Sequence, residues 1–387
     1  MANVAQDFLG LDVDLSDEDR LLRDTVRAFV ETRVLPDIAR NFEEAKFDLG
    51  LVKEMAGLGL FGMHLEGYGC AGAEPMAYGI VCRELEAGDS GLRSFLSVQG
   101  SLSMTAIRMF GSEEHCEEFL PAMAAGEKLG CFGLTEPDAG SDPASMRTTA
   151  RQSGGDWLLN GTKLWITNGS IADIAVIWAM TEDGVRGFLV PTDSAGFEAR
   201  DIARKASMRA SITSELTLSD VRVPEGMRLP GAVGLRAPLS CLSEARFGIV
   251  FGATGAARAC LTAALEYAND RKQFAKPISS FQLTQEKLVN MLTLLTNSSL
   301  IATQLAKLKA RGDLSPAQVS YGKRHNVGAA LEIARTARSI MGANGISFDY
   351  PPARHMANLE SVYTYEGTHE IHTLILGQAI TGESAFS

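Results

Sequence analysis

The sequence has no paired-cysteine motif, no excess of positive charge and no long apolar run. Its six cysteines, Cys70, Cys82, Cys116, Cys131, Cys241 and Cys260, are scattered without a CxxC spacing, and five lie beside apolar or small residues. That pattern excludes a disulfide framework and predicts reduced, mostly buried thiols in a cytosolic protein. Lysine and arginine number 36 against 47 acidic residues, a formal charge of -11. A nucleic-acid partner is therefore not expected, because phosphate neutralisation needs a basic face, and any anionic ligand must be held locally. No uninterrupted apolar stretch approaches the roughly 18 residues of a membrane span. The start, Met1 to Asp7, lacks the basic region of a secretory leader and the arginines of a transit peptide, so a cytoplasmic location is expected, although a processed organellar protein would look the same. The six histidines lack metal-ligand spacing. His369 and His372 stand three apart with no acidic or cysteine partner set, and no metal is expected. There is no G-x-S-x-G elbow, P-loop or H-E-x-x-H, which removes the common hydrolase and kinase chemistries. Internal repeats and low-complexity tracts are also lacking.

What remains is an ordinary globular composition, 45% hydrophobic and 21% charged over 387 residues, long enough for two or three domains. From Ser16 to about Gly130 the texture is helical. A Ser16-Asp17-Glu18-Asp19 start signal precedes Leu21, Leu22, Val26, Phe29 and Val30 at three- and four-residue spacing, and a similar signal opens at Ser112. The next hundred residues read as strands. Asn160-Gly161, between Trp157-Leu158-Leu159 and Lys163-Leu164-Trp165-Ile166, predicts a hairpin turn, and Gly184 predicts another between Asp173–Met180 and Gly187–Val190. After about Leu239 helical periodicity returns, through Leu283, Leu288, Met291, Leu292, Leu295 and Leu300-Ile301. Helices, strands, helices in that order predict an α+β protein with an antiparallel middle domain, not a doubly wound sheet. Gly57-Leu58-Gly59-Leu60-Phe61-Gly62 matches G-x-G-x-x-G, but Leu51 to Ala56 reads as a helix entering a glycine cap, so the dinucleotide-binding reading is rejected.

The candidate for chemistry lies near the C-terminus, in Tyr363-Thr364-Tyr365-Glu366-Gly367-Thr368-His369-Glu370. A carboxylate beside a glycine that lets backbone approach a ligand can take a proton from carbon, provided burial raises its proton affinity. By its residues alone the tetrapeptide around Glu366 could equally be an exposed acidic turn.

The stretch from Tyr363 to Gly382 resembles the C-terminal signature of the acyl-CoA dehydrogenases, with wording nearest to the members that act on glutaryl-CoA. Cys131 to Pro137 running into Ala139-Gly140-Ser141-Asp142, Trp165-Ile166-Thr167-Asn168, and Arg271-Lys272-Gln273-Phe274 followed by Phe281-Gln282 resemble further segments of that family, in order along essentially the whole chain. The resemblance implies an N-terminal all-α domain (1–130), a middle β domain (131–236) and a C-terminal four-helix bundle (237–387).

It also implies FAD as cofactor. Leu134 and Thr135, next to Phe132, would meet the flavin pyrimidine, Thr167 would bond N5, Trp165 with Ile166 would pack on the ring, and Ser141 would reach the pyrophosphate. Arg271, whose guanidinium suits phosphate, would join Phe274 and Gln282 on the FAD of a neighbouring subunit. Ser339, Gly342 and Ala343 would complete the adenosine side, with Ala343 where relatives often have glycine, and Thr368 and Glu370 would also touch FAD. A cofactor shared between chains implies a homo-oligomer, usually a tetramer. For the substrate, Arg93 beside Ser94 and Glu86 would pair with the free carboxylate of a dicarboxylic acyl group, and Ser141, Arg246, Gly367 and Phe386 would line the CoA thioester channel. Glu366 would remove the α-proton while the β-hydrogen leaves as hydride to flavin N5. Glu86 and Tyr365 match residues that accompany decarboxylation, so the expected products are crotonyl-CoA and carbon dioxide, with electrons passed to an electron-transferring flavoprotein; the alternatives are a dehydrogenase or oxidase for another short-chain or dicarboxylic acyl-CoA, or a non-catalytic acyl-CoA-binding protein of the same fold.

Overall fold

Ser16 begins the first helix as its sequence predicts, its side chain accepting the Asp19 amide at 3.0 Å, with three acidic residues in the first turn where the helix dipole favours them. The structure, a computed structural model, describes residues 7–386; most of the N-terminal stretch read for targeting signals lies outside the described residues. Helix α1 (Asp17–Phe29) buries Val26 and Phe29 and runs through a π-helical stretch, Val30–Val34, into α2 (Leu35–Glu43). Leu21 is 70% exposed, a correction to the apolar stripe drawn from the sequence: it lies about 100° around the helix from Leu22, which packs on the core. Helix α3 (Gly50–Gly57) follows α2 with no strand before it and is followed by left-handed Gly59, φ +70°, so the G-x-G-x-x-G match is a helix cap. A two-residue hairpin, β1 (Glu66–Gly67) with β2 (Cys70–Ala71), interrupts the helices. Then come α4 (Pro75–Gly88), α5 (Ser90–Ser97), a π-helical stretch Val98–Met104, α6 (Thr105–Phe110) and α7 (Glu113–Ala124). Ser112 caps α7 in a reciprocal box with His115.

The middle of the chain is a seven-stranded sheet in two leaves. In one, β3 (Gly130–Gly133) runs parallel to β6 (Ile174–Thr181), which pairs antiparallel with β7 (Gly184–Pro191) around Gly184 at φ +92°. In the other, β4 (Thr149–Ser153), β5 (Asp156–Thr167), β9 (Thr213–Pro224) and β8 (Phe197–Asp201) are antiparallel, and the bridge Thr149–Met180 joins the leaves. Two expectations change. The sheet is not wholly antiparallel, because the N-terminal helices deliver β3 alongside β6 from the same end. Asn160-Gly161 is not a hairpin turn: β5 continues through it, and the register against β9 slips between Leu159 and Gly161. A Cβ at Gly161 would sit 2.4 Å from Thr148 Oγ1, so the glycine serves a close crossing of strands instead of a reversal.

The C-terminal region holds α8 (Arg236–Asp270), the short hairpin β10 (Lys272–Gln273) and β11 (Lys276–Pro277), α9 (Gln282–Ala310), α10 (Pro316–Ile340), α11 (Pro351–Thr364) and α12 (His369–Thr381). Helix α8 is long and apolar enough to cross a membrane by composition, but 72% of its apolar window is buried inside the fold, as befits a core helix packed on α4 and α10. On α9 Met291 and Leu295 are buried while Leu283 is 75% exposed, so the periodic positions do not all face inward. All six cysteines are free and five are buried.

Candidate active site

Helix α11 stops at Tyr365, whose amide still bonds the Ser361 carbonyl, and α12 starts when the Thr368 side chain accepts the Ile371 amide. The two residues between are left-handed, Glu366 at φ +52° and Gly367 at φ +91°. Glycine is required at the second, since a Cβ there would lie 2.9 Å from His372 Nε2. A carboxylate-bearing residue in this conformation costs energy that the surroundings must supply. They do so with cations. Arg246 Nε donates to the Glu366 carbonyl at 2.7 Å, and Lys323 Nζ donates to the carbonyls of Tyr365 and Gly367 at 2.5 and 2.6 Å. The side chain of Glu366 turns inward, and its Oε2 is buried without a protein hydrogen-bond partner. Burial pushes its proton affinity above that of an ordinary glutamate, while Arg93, Lys323 and Arg246 pull it back. The motif is not an exposed acidic turn.

Facing Tyr365 is the second buried charge cluster. Asp89 caps α5 by accepting the Gly91 amide at 2.7 Å, which sets Arg93 one turn in, fully buried. Arg93 Nε donates to Glu86 Oε2 at 2.7 Å, and Nη2 donates to the Tyr365 hydroxyl. Arg93 Nη1 and Glu86 Oε1 are buried with no partner. Space for the pair comes from Gly252 on α8, where a Cβ would fall 2.0 Å from Glu86 Oε2. Ser94 is buried beside them. A buried ion pair of this kind adds little net stability, because desolvation offsets attraction.

A third group lies where β3 leads into the loop before β4. Phe132 and Leu134 are buried, Thr135 is half-buried, and the Thr135 carbonyl accepts the Leu164 amide at 2.9 Å, tying this loop to β5. The β5 register slips again between Lys163 and Ile166. There Trp165 takes φ +63° and presents its indole 57% exposed, with Ile166 buried and Thr167 half-buried beyond it. An exposed indole on a strained bulge beside two threonines suits a flat aromatic group with polar edges. Lys163 was not singled out from sequence. Its buried Nζ donates to the Leu134 carbonyl at 3.1 Å and Glu136 Oε1 at 2.7 Å, while Glu136 also accepts the Arg147 and Thr148 amides. Burial lowers the Lys163 ammonium to about 8. Lys323 was missed as well, since a lone lysine on a helix carries no motif.

The remaining residues stand apart. Ser141 is exposed on the loop before β4. Arg271 precedes the β10–β11 hairpin, Phe274, 89% exposed at φ +53°, sits in its turn, and Gln282 opens α9. Ser339 accepts from Lys287 Nζ at 3.1 Å in a cleft of about 810 Å³ that Tyr363 and His369 also line. Gly342 and Ala343 are exposed after α10, and Glu370 is exposed in the first turn of α12. Phe386 lies past α12, 51% exposed, its amide on Ser384 Oγ. No hydrogen bond joins any of these to Glu366 or Arg93.

Family models described as acyl-CoA dehydrogenase N-terminal, middle and C-terminal domains match residues 16–127, 131–221 and 232–381. The chain belongs to the acyl-CoA dehydrogenase family. Within it, the chain is similar to a crystal structure of glutaryl-CoA dehydrogenase from Mycobacterium smegmatis, at 58% identity and a TM-score of 0.98 over 99% of both chains. A glutaryl-CoA dehydrogenase from that organism solved in complex with FADH2 is 55% identical, with a TM-score of 0.98, over 99% of this chain and all of the other. The mitochondrial short-chain specific acyl-CoA dehydrogenase of Homo sapiens is 34% identical over 372 residues, 94% of this chain and 90% of the relative.

Proposed function

We propose that this protein is an FAD-dependent acyl-CoA dehydrogenase that oxidises glutaryl-CoA and releases crotonyl-CoA and carbon dioxide. The observation that carries the substrate is Arg93 Nη1, a buried guanidinium nitrogen with no acceptor, set one tyrosine away from Glu366. The far carboxylate of a five-carbon dicarboxylic acyl group supplies the acceptor it lacks, as a charge-assisted bond to a guanidinium nitrogen. Glu366 is the base that takes the α-proton; its unpartnered Oε2 is free for that proton, and burial gives it affinity to hold it. Bound FAD supplies the acceptor for the β-hydride. The Glu366 amide, which donates to no protein acceptor among the described residues, bonds the thioester carbonyl as the α-carbon acquires negative charge. After oxidation, protonated Glu366 faces a carboxylate that departs as carbon dioxide, its bonding pair delocalised into the thioester, and a proton returned to carbon completes crotonyl-CoA. Trp165, Thr135 and Thr167, with Leu134, hold the flavin, and Arg271, Phe274 and Gln282 serve the cofactor of a second subunit in a homotetramer. Electrons leave to an electron-transferring flavoprotein, in the cytoplasm.

Purified FAD-loaded protein mixed anaerobically with glutaryl-CoA tests this. Bleaching of the flavin with formation of crotonyl-CoA and carbon dioxide is the expected result; bleaching with glutaconyl-CoA alone removes the decarboxylating half. One observation favours a second reading. Glu86 already neutralises Arg93, so a butyryl chain would not face a bare charge, and the human relative named above is short-chain specific. Equal kcat/KM on butyryl- and glutaryl-CoA would select it.

A further inference from the structure

Lys323 stands in the middle of α10 with 1% of its surface exposed, and its helix cannot easily move. Asn326, one turn on, donates to the carbonyls of Val250 on α8 and Ser298 on α9, both at 2.9 Å, and a Cβ at Gly322 would strike Leu305 on α9 at 2.5 Å. From this anchored position the ammonium takes the carbonyls on either side of Glu366, and Arg246 takes the carbonyl of Glu366 itself. Two successive left-handed residues turn three consecutive carbonyls toward the cations, so the amides between them point the other way. The groups facing the ammonium are the Glu366 carboxylate, the Tyr365 ring at 5.8 Å, Arg246 from α8, Arg93 from α5 and the rings of His369 and His372 from α12. Glu366 is the single carboxylate among them.

Resting on the reading of Glu366 as the base, we propose that Lys323 is a positioning residue for it: the ammonium holds the two bracketing carbonyls, which aims the carboxyl, and its charge keeps that carboxyl ionised in a buried site. Burial pushes Lys323 down to about 7, and Glu366 opposes the fall, as a shared field requires. Removing the charge leaves Glu366 with burial less opposed. Its proton affinity then rises, and because the base must be unprotonated, the acid limb of activity moves to higher pH.

The experiment measures the pH profile of kcat/KM, with kcat and KM separately, on FAD-loaded wild type and Lys323→Met, Lys323→Gln and Lys323→Arg, using the acyl-CoA that wild type turns over. Lys323→Met should lower kcat by about 10- to 100-fold with little change in KM and raise the acid limb by about one pH unit. Lys323→Gln keeps donors for both carbonyls but no charge, so it should show the same limb shift with a smaller loss of kcat. Lys323→Arg should return the limb to within about 0.3 unit of wild type, as the charge is restored. Limbs that coincide for Gln, Arg and wild type overturn the inference, even if Lys323→Met fails to fold, and so does an effect on KM alone. Glu366→Gln separates the two layers: if it stays active the underlying assignment fails, whereas an inactive Glu366→Gln beside unperturbed Lys323 variants rejects Lys323 only.

Discussion

The guanidinium of Arg93 and the carboxylate of Glu86 meet at 2.7 Å with neither side chain open to solvent, and each keeps one further polar atom without a partner. Arg93→Gln removes the charge that a dicarboxylic acyl group would meet and strands Glu86. The ratio of kcat/KM for glutaryl- over butyryl-CoA should fall by at least about tenfold, because a charge-assisted bond is worth roughly 1.5–3 kcal/mol. Breaking the buried pair should also cost up to about 3–5 kcal/mol of stability, read by denaturant unfolding. An unchanged substrate ratio would show that Arg93 does not face the acyl end.

Gly252 and Gly255 on α8 separate specificity from packing. Alanine gains about 1 kcal/mol of helix propensity at either position. At Gly252 the added methyl meets Glu86 Oε2 at 2.0 Å, a side-chain end that can yield only by leaving Arg93; at Gly255 it meets the Arg83 backbone carbonyl at 1.9 Å. Gly255→Ala should therefore be the more destabilising, by about 1–3 kcal/mol net, as over-packed cores are. Gly252→Ala should lose less stability but more of the proposed preference for glutaryl-CoA. The reverse order in paired melting and kinetic measurements would contradict the clash geometry.

Lys163→Met strips the cation from beneath the Leu134–Glu136 loop and leaves the Glu136 carboxylate with the Arg147 and Thr148 amides as its remaining donors. The loop that would face the flavin pyrimidine loses its anchor to β5. About tenfold weaker FAD retention is expected, by analogy with the loss of outer-shell support at other cofactor sites, measured as flavin absorbance left after gel filtration. Full retention with an undisturbed melting temperature would show that the Leu164 amide alone holds the loop.

His64 gives a pH dependence of stability. Burial lowers its proton affinity from 6.5 to about 4, and its Nδ1 has no partner while Nε2 meets Thr105 Oγ1 at 3.0 Å. As pH falls below 6.5 the unfolded chain binds the proton first, so stability is lost between 6.5 and about 4 and regained as pH rises. The loss reaches about 3 kcal/mol at the lower end, on the order of 1.36 kcal/mol per unit. Urea unfolding from pH 7 to 4 should have a shallower acid slope in His64→Gln than in wild type; equal slopes would mean the ring is solvated.

Much of the candidate site could be proposed from sequence because short motifs are local statements. Glu366 beside Gly367, Thr135 before Glu136-Pro137 and Trp165-Ile166-Thr167 each stand out as candidates within a few residues. The Gly184 turn and the Ser16 and Ser112 caps were readable for the same reason. The Asn160-Gly161 hairpin was misread because a glycine that permits a turn also permits a close strand crossing, and Thr148, thirteen residues before Gly161, decides between them. Lys163 and Lys323 were invisible because a lysine in a strand or helix usually lies on a solvated face; nothing near either in sequence says that a carboxylate or a row of carbonyls awaits it.

The sequence by itself determined the order of helices, strands and helices and supplied the Glu366 carboxylate, the Arg93 guanidinium and the Trp165 indole, because hydrophobic period, caps and short motifs act over a few neighbouring residues. Only the tertiary structure decided that Arg93, from the N-terminal helices, meets Tyr365 across 272 positions, and that Lys323 and Arg246 together hold the turn bearing Glu366. Proton affinity and charge pairing depend on distance through space and on the exclusion of water, and both exist only once the helices have packed.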